Sequence, residues 1–222
     1  MENAPEVRME GKELGKNAVE RLKKLYPDDI CTLSYGGDAW RLLIMGRLSA
    51  QCTDKRVNIV SEELFAEYPD VFALAQADVT RVGEIIRTCG LYNSKAKSIV
   101  EMSRIIVDRF GGEVPEAMDD LLSLPGVGRK IANLVRGDIF GCPAVVTDTH
   151  CIRICGRLGF YPEELKDPPK IEKILSKVIE PNEQASFCHR LVDFGRDICT
   201  ARKTYCEKCP LKDICAHNNS EK

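Results

Sequence analysis

The chain has 222 residues, of which 44% are hydrophobic and 30% charged, the make-up of a globular protein with one large or two small domains. It contains no apolar run long enough to span a bilayer, and its polar start, MENAPEVRMEGKELG, reads as neither a secretory signal nor an Arg-rich transit peptide. A net charge of −2 offers no bulk attraction to a polyanion, so any nucleic-acid contact has to come from a local positive face.

Hydrophobic spacing reads as helical almost throughout. Asp38 is placed to cap a helix over AWRLLIMGRLSAQ, whose apolar residues cover nearly the whole circumference and predict deep burial, with Arg47 as an interruption. Asp54 opens a second helix through Val57, Val60, Leu64 and Phe65. Asp78 opens a third, closed by Gly90. Ser94 begins a fourth, stopped by Gly111-Gly112. A short helix from Asp119 to Leu124 leads through the tight turn Pro125-Gly126-Val127-Gly128 into a helix from Arg129 to Phe140. Asp148 is placed to cap a helix that ends at Gly159, and two more follow near 170–180 and 184–195. Ala144–Val146 is the only strand-like run, and it is very short. The expected fold class is all-α.

The chain carries 11 cysteines. An odd number, with no signal peptide and four of them clustered, argues for a reducing compartment and against a disulfide framework. Cys199, Cys206, Cys209 and Cys215 are spaced C-x6-C-x2-C-x5-C, close enough to surround one metal centre. Zinc and a 4Fe–4S cluster are both open to four thiolates. Structural zinc sites usually pair two C-x2-C knuckles, and the single knuckle with unequal arms favours the cluster. Arg202 and Lys203 in the first arm would be held out on a loop suited to phosphate contact. Most of the remaining cysteines have apolar neighbours and read as core residues. Basic residues concentrate at 126–157 and at 196–212, although ordinary solvated charge accounts for them equally well.

LPGVGRK at 124–130 joins two helices. Glycines there permit a close backbone approach to phosphate, and the next helix offers free N–H groups and its positive dipole end. A plain helical corner has the same sequence features. Lys130 sits in the first turn of that helix, where the dipole disfavours a cation and so favours the neutral amine that a nucleophile requires. A phosphate-binding lysine is the competing role. Asp148 is suited to accept a proton and to stabilise positive charge developing on a sugar, as well as to cap its helix.

The segments LLIMGRLSAQCTD, CGLYNSKA, LPGVGRK, VTDTH and the four-cysteine loop, in this order over residues 30–216, closely resemble endonuclease III, a family of bifunctional DNA glycosylases and AP lyases in the helix-hairpin-helix superfamily. The resemblance implies two helical domains flanking a DNA-binding cleft: a six-helix barrel over 32–142 carrying the helix-hairpin-helix at about 119–140, and a 4Fe–4S domain from 1–31 plus 143–222. It implies that Lys130 is the Schiff-base lysine, Asp148 the catalytic aspartate, and Cys199, Cys206, Cys209 and Cys215 the cluster ligands. Gln51 and Leu91 match side chains that enter the duplex as the damaged nucleotide leaves it, and Gly126, Gly128, Arg129, Arg202 and Lys203 are the remaining expected DNA contacts. The implied partner is duplex DNA with oxidised pyrimidines or abasic sites, acted on by a monomer in a prokaryotic cytoplasm. The chain departs from the family pattern at Arg47, Cys52 and Thr147. Mismatch glycosylases of the same fold lack the lysine of LPGVGRK. Pyrimidine-dimer glycosylases keep it, and a non-catalytic iron–sulfur DNA-binding protein is the alternative from another class.

Overall fold

The computed structural model describes residues 10–28 and 30–220. The chain divides into two compact units, one formed by Cys31–Gly141 and the other by the described parts of Met1–Ile30 and Cys142–Lys222. The fold is all-α. Among the described residues no strand forms, and one isolated antiparallel bridge joins Cys199 to Thr204.

The first helix, α1 (Gly11–Leu25), belongs to the flanking unit and buries Leu14, Ala18 and Leu22 at helical spacing.

The central unit is built around α2 (Ala39–Leu48), capped by the Asp38 carboxylate accepting the Arg41 N–H. Leu42 through Met45 and Leu48 are at most 1% exposed, so α2 is the rod against which the unit packs. It ends three residues short of Gln51. Arg47 lies half-buried and is paid for by a 2.9 Å bond from its Nε to Ser98 Oγ. In α3 (Asp54–Glu67) the cap is Thr53, one residue before the expected start; Asp54 instead accepts from the Thr32 hydroxyl at 2.6 Å. A five-residue helix that the sequence pattern does not announce, α4 (Val71–Ala75), follows with Asp70 as its cap.

Asp78 caps α5 (Val79–Ile85), and one 3-10 turn, Arg87–Cys89, leads to Gly90. The long helix α6 (Tyr92–Phe110) begins two residues before Ser94, with Leu91 as a left-handed N-cap that offers no side-chain bond. Gly111, also left-handed, ends it. Then come α7 (Met118–Ser123) and α8 (Arg129–Asp138). On α2, Gly46 gives α8 its seat: a Cβ there would lie 3.1 Å from Ile131 Cγ2.

The flanking unit resumes with Ala144–Val146, which is buried but forms no strand; the Val146 N–H donates to Cys188 Sγ at 3.3 Å instead. Asp148 caps α9 (Thr149–Leu158), which Gly159 terminates with φ +96°. Next are α10 (Pro168–Val178), capped by Asp167, α11 (Gln184–Asp197) and the short α12 (Ala216–Ser220). α1 packs on α10 and α11, and α9 packs on α11. Gly15 lets α1 touch α10, since a Cβ there would lie 2.2 Å from the Val178 carbonyl oxygen.

Candidate functional site

The hairpin between α7 and α8 is shaped by two glycines with different tasks. Gly126 has φ +80°, a conformation other residues rarely adopt, and Arg47 lies so close that a Cβ would meet its Nε at 2.5 Å and its Cδ at 2.8 Å. Arg47, the interruption of the apolar α2, therefore props the turn from behind. Gly128 is the N-cap of α8 and has no side chain to cap it. A Cβ built there meets nothing within 4 Å. The helix thus opens on exposed backbone with exposed Arg129 and Lys130 in its first turn, an arrangement that can receive an anion.

Gln51 and Leu91 share an unusual property. They are the only non-glycine residues with positive φ among those described, at +57° and +48°. Each such residue costs about 1–2 kcal/mol, and strain of this kind gathers at ligand clamps. Leu91 is 59% exposed although it is apolar, and Gln51 is exposed as well. Both loops converge on Lys95, which the sequence reading overlooked. It is 0% exposed, and its Nζ donates to Leu48 O at 2.8 Å and to Cys89 O at 2.7 Å. Burial holds its ammonium below the usual lysine range.

In the flanking unit the Asp148 carboxylate accepts the Cys151 N–H at 2.7 Å, so the capping role is filled. Further along α9, Arg153 and Arg157 hold the start of the cysteine loop. Arg153 Nη2 donates to Cys199 O at 2.9 Å; Arg157 Nη1 donates to Thr200 O at 2.8 Å and to Cys199 Sγ at 3.4 Å. These arginines had read only as part of a basic stretch. Inside the first arm, the Lys203 N–H donates to Thr200 Oγ1 and the Lys203 ammonium rests 5.0 Å from the Tyr205 ring. Arg202 and Lys203 remain exposed.

Cys199, Cys206, Cys209 and Cys215 line one apolar recess together with Ile154, Leu158 and Phe194. Burial pushes the Cys209 thiol up to about 11 and raises Cys215 as well. Thiolates in such surroundings need a cationic partner. Zn–S bonds of about 2.3 Å in a tetrahedron bring four sulfurs to about 3.8 Å from one another. Of the other cysteines, Cys89, Cys151, Cys155 and Cys188 are buried, while Cys31, Cys52 and Cys142 are half-buried.

Lys130 belongs to the central unit and Asp148 to the flanking one.

Residues 44–181 match the family model of the HhH-GPD superfamily base excision DNA repair proteins. An endonuclease III from Synechocystis sp. is 45% identical over 195 residues, 87% of this chain and 88% of its own length. Two solved structures, a non-covalent endonuclease III–DNA complex and a trapped endonuclease III–DNA covalent intermediate, each superpose with a TM-score of 0.89 at 37% identity, over 96% of this chain and 99% of theirs. A thermostable thymine-DNA glycosylase shares the fold at a TM-score of 0.84 and 23% identity. The hairpin with its lysine, the capping aspartate and the four-cysteine loop thus sit in a chain that belongs to the endonuclease III family of the HhH-GPD superfamily.

Proposed function

We propose that this chain is a base-excision repair enzyme that removes oxidised pyrimidines from duplex DNA and then cleaves the abasic strand. The single observation that carries the reading is Lys130, exposed one residue inside a helix whose N-terminus lacks a side-chain cap, in a chain that closely resembles a protein trapped covalently on DNA.

The hairpin binds phosphate through the backbone of Gly126 and Gly128 and the side chain of Arg129, contacts that fix register without reading sequence. Arg202 and Lys203 add a second phosphate contact from the cysteine loop. The damaged nucleotide is extruded, which costs a few kcal/mol of stacking, and Gln51 and Leu91 fill the space it leaves. The neutral Lys130 amine attacks C1′ of the deoxyribose and forms the C–N bond as the base departs with the glycosidic electron pair. Asp148 stabilises the positive charge that develops on the sugar and takes up the proton of the attacking amine. The C1′–O4′ bond of this adduct then breaks, with O4′ taking the proton held by Asp148, and the ring-opened iminium so formed acidifies the C2′ proton. Its loss expels the 3′ phosphate by β-elimination, and hydrolysis of the iminium then frees the lysine.

The cysteine recess suits a 4Fe–4S cluster held by Cys199, Cys206, Cys209 and Cys215, four thiols lining one apolar recess with unequal loop arms between them. When bound, the cluster supplies positive charge that keeps these four thiolates ionised and folds the loop. No chemical step requires it. Eleven cysteines, none of them in a disulfide among the described residues, suit the reducing cytoplasm of a prokaryotic cell.

Borohydride reduction in the presence of abasic-site DNA tests the assignment. The native protein should form a covalent complex with DNA that is absent from the Lys130→Ala variant. Undiminished trapping by that variant would refute the role of Lys130. Duplexes carrying defined lesions, scored separately for base release and for nicking, then define the substrate class.

A further inference from the structure

The central unit contains a fully buried lysine that the chemistry above does not use. Lys95 lies on α6, and its backbone N–H bonds to Leu91 O at 3.0 Å. Its ammonium reaches the last carbonyl of α2, Leu48 O, and the last carbonyl of the 3-10 turn, Cys89 O. One cation thus satisfies the negative ends of two helical segments. The loops that leave those two ends carry the two left-handed residues, Gln51 three positions after Leu48 and Leu91 two positions after Cys89. Left-handed backbone outside glycine persists only where its surroundings over-determine it; Lys95 bonds the ends of both segments from which the loops leave, beside a weaker thiol contact between Cys52 and Cys89.

We propose that Lys95 is a positioning residue for base extrusion: by fastening the ends of both loops to one buried ammonium, it fixes Gln51 and Leu91 in the register at which they enter the duplex together. This rests on the reading of Gln51 and Leu91 as the side chains that fill the vacated space. The ammonium touches neither DNA nor the reacting atoms. It acts by making the separation of the two projecting side chains a property of the folded protein, so that it need not be established on each encounter with DNA.

The test compares two reactions of the cluster-loaded protein. Excision of thymine glycol from a duplex requires extrusion, whereas β-elimination at an abasic site in single-stranded DNA needs Lys130 and no filling of a vacated stack. Lys95→Met keeps the length of the side chain and removes the donor. It should slow duplex excision by roughly ten- to a hundredfold, as expected for a misplacement on the scale of an ångström, and leave single-strand cleavage within about twofold of native. A fluorescent base analogue opposite the lesion should lose most of its binding-induced change. Lys95→Gln, whose amide can donate to both carbonyls, should recover much of the duplex rate.

Native duplex excision in a folded Lys95→Met would overturn the proposal. So would equal losses in both reactions, because a general structural role predicts no split between them. If Lys95→Met does not fold, Lys95→Leu, which also removes the donor, decides by the same split. Gln51→Ala and Leu91→Ala, assayed alongside, separate the two layers of the argument. Should both be silent on duplexes, the reading of the filling residues fails and this inference falls with it. Should they be impaired while Lys95→Met behaves as native, only the inference fails.

Discussion

Asp148 has two tasks that one substitution can separate. It caps α9 through a 2.7 Å bond to the Cys151 N–H, and in the proposed chemistry it supplies a negative charge. Asparagine caps about as well as aspartate but carries no charge. Asp148→Asn should therefore keep the native Tm and lose most base excision, while Asp148→Ala should lose excision and also about 1 kcal/mol of stability. Thermal melts beside single-turnover excision check both, and native excision by Asp148→Asn would remove the carboxylate from the mechanism. At this scale the sequence points to the candidates for chemistry, because an amine at a helix start beside a glycine turn and a cluster of four thiols have few other uses. It conceals the residues that hold them in place. Lys95 was passed over because lysine is normally solvated. A signal was nevertheless there: positions 95, 99, 102 and 106 recur at helical spacing, and Ile99, Met102 and Ile106 are all buried. A lysine on the apolar face of an amphipathic helix has to be either functional or stapled to backbone. Arg47 shows the same logic more weakly, as an arginine within an apolar helix that props Gly126.

Helix starts were legible where a side chain makes the cap. Asp38, Asp78 and Asp148 each bond the backbone as their positions imply. Starts were misread where the cap is made otherwise. Ser94 looks like a cap, but α6 begins at Tyr92 because Leu91 turns the chain by its left-handed backbone alone, a device that leucine does not advertise. Thr53 outcompetes Asp54 because Asp54 is engaged by Thr32. α4 went unseen although Asp70 caps it, since five residues are too few to display a period. Contacts between elements are harder still to read from sequence. Gly15 appears an indifferent helical glycine until α1 is packed on α10, where a Cβ would meet the Val178 backbone oxygen at 2.2 Å. A flexible side chain could move aside, but a helix-terminal carbonyl cannot without displacing α10. Gly15→Ala should therefore destabilise despite alanine's better helix propensity, by about 1–3 kcal/mol. That corresponds to a fall in Tm of roughly 2–4 °C per kcal/mol for a protein of this length, and a melting curve is enough to detect it. An unchanged or raised Tm would mean that α1 and α10 do not approach this closely.

At the scale of the whole molecule, the flanking unit is drawn from both ends of the sequence, with the central unit inserted between them. The cysteine loop and α1, remote in sequence, are fastened to each other. Arg21 of α1 donates to both carboxylate oxygens of Asp213, at 2.5 and 2.9 Å, and to Pro210 O at 2.9 Å. These contacts lie between Cys209 and Cys215 in the chain. The proposed cluster should matter to folding more than to chemistry: Cys206→Ala is expected to lower Tm and weaken DNA binding, while whatever protein stays folded still traps abasic DNA. The Arg21 clamp should then set how fast the loop opens. Asp213 is largely solvated and Arg21 half-buried, so the pair contributes only about 0–1 kcal/mol, too little to register in Tm but enough to alter a rate of local opening. The Arg21 hydrogen bond, more than its charge, holds the Asp213 carboxyl below its ordinary 3.8. The sign follows from that depression. The contribution is present in full above the ordinary carboxylate value and disappears as pH falls through the lower value of the folded state. Loss of the visible iron–sulfur absorbance in the presence of a chelator reads the opening. Arg21→Met should bleach severalfold faster than native at neutral pH, and the two rates should converge as Asp213 protonates at acid pH. A difference that persists undiminished at the acid end would mean that Arg21 acts through Pro210 alone.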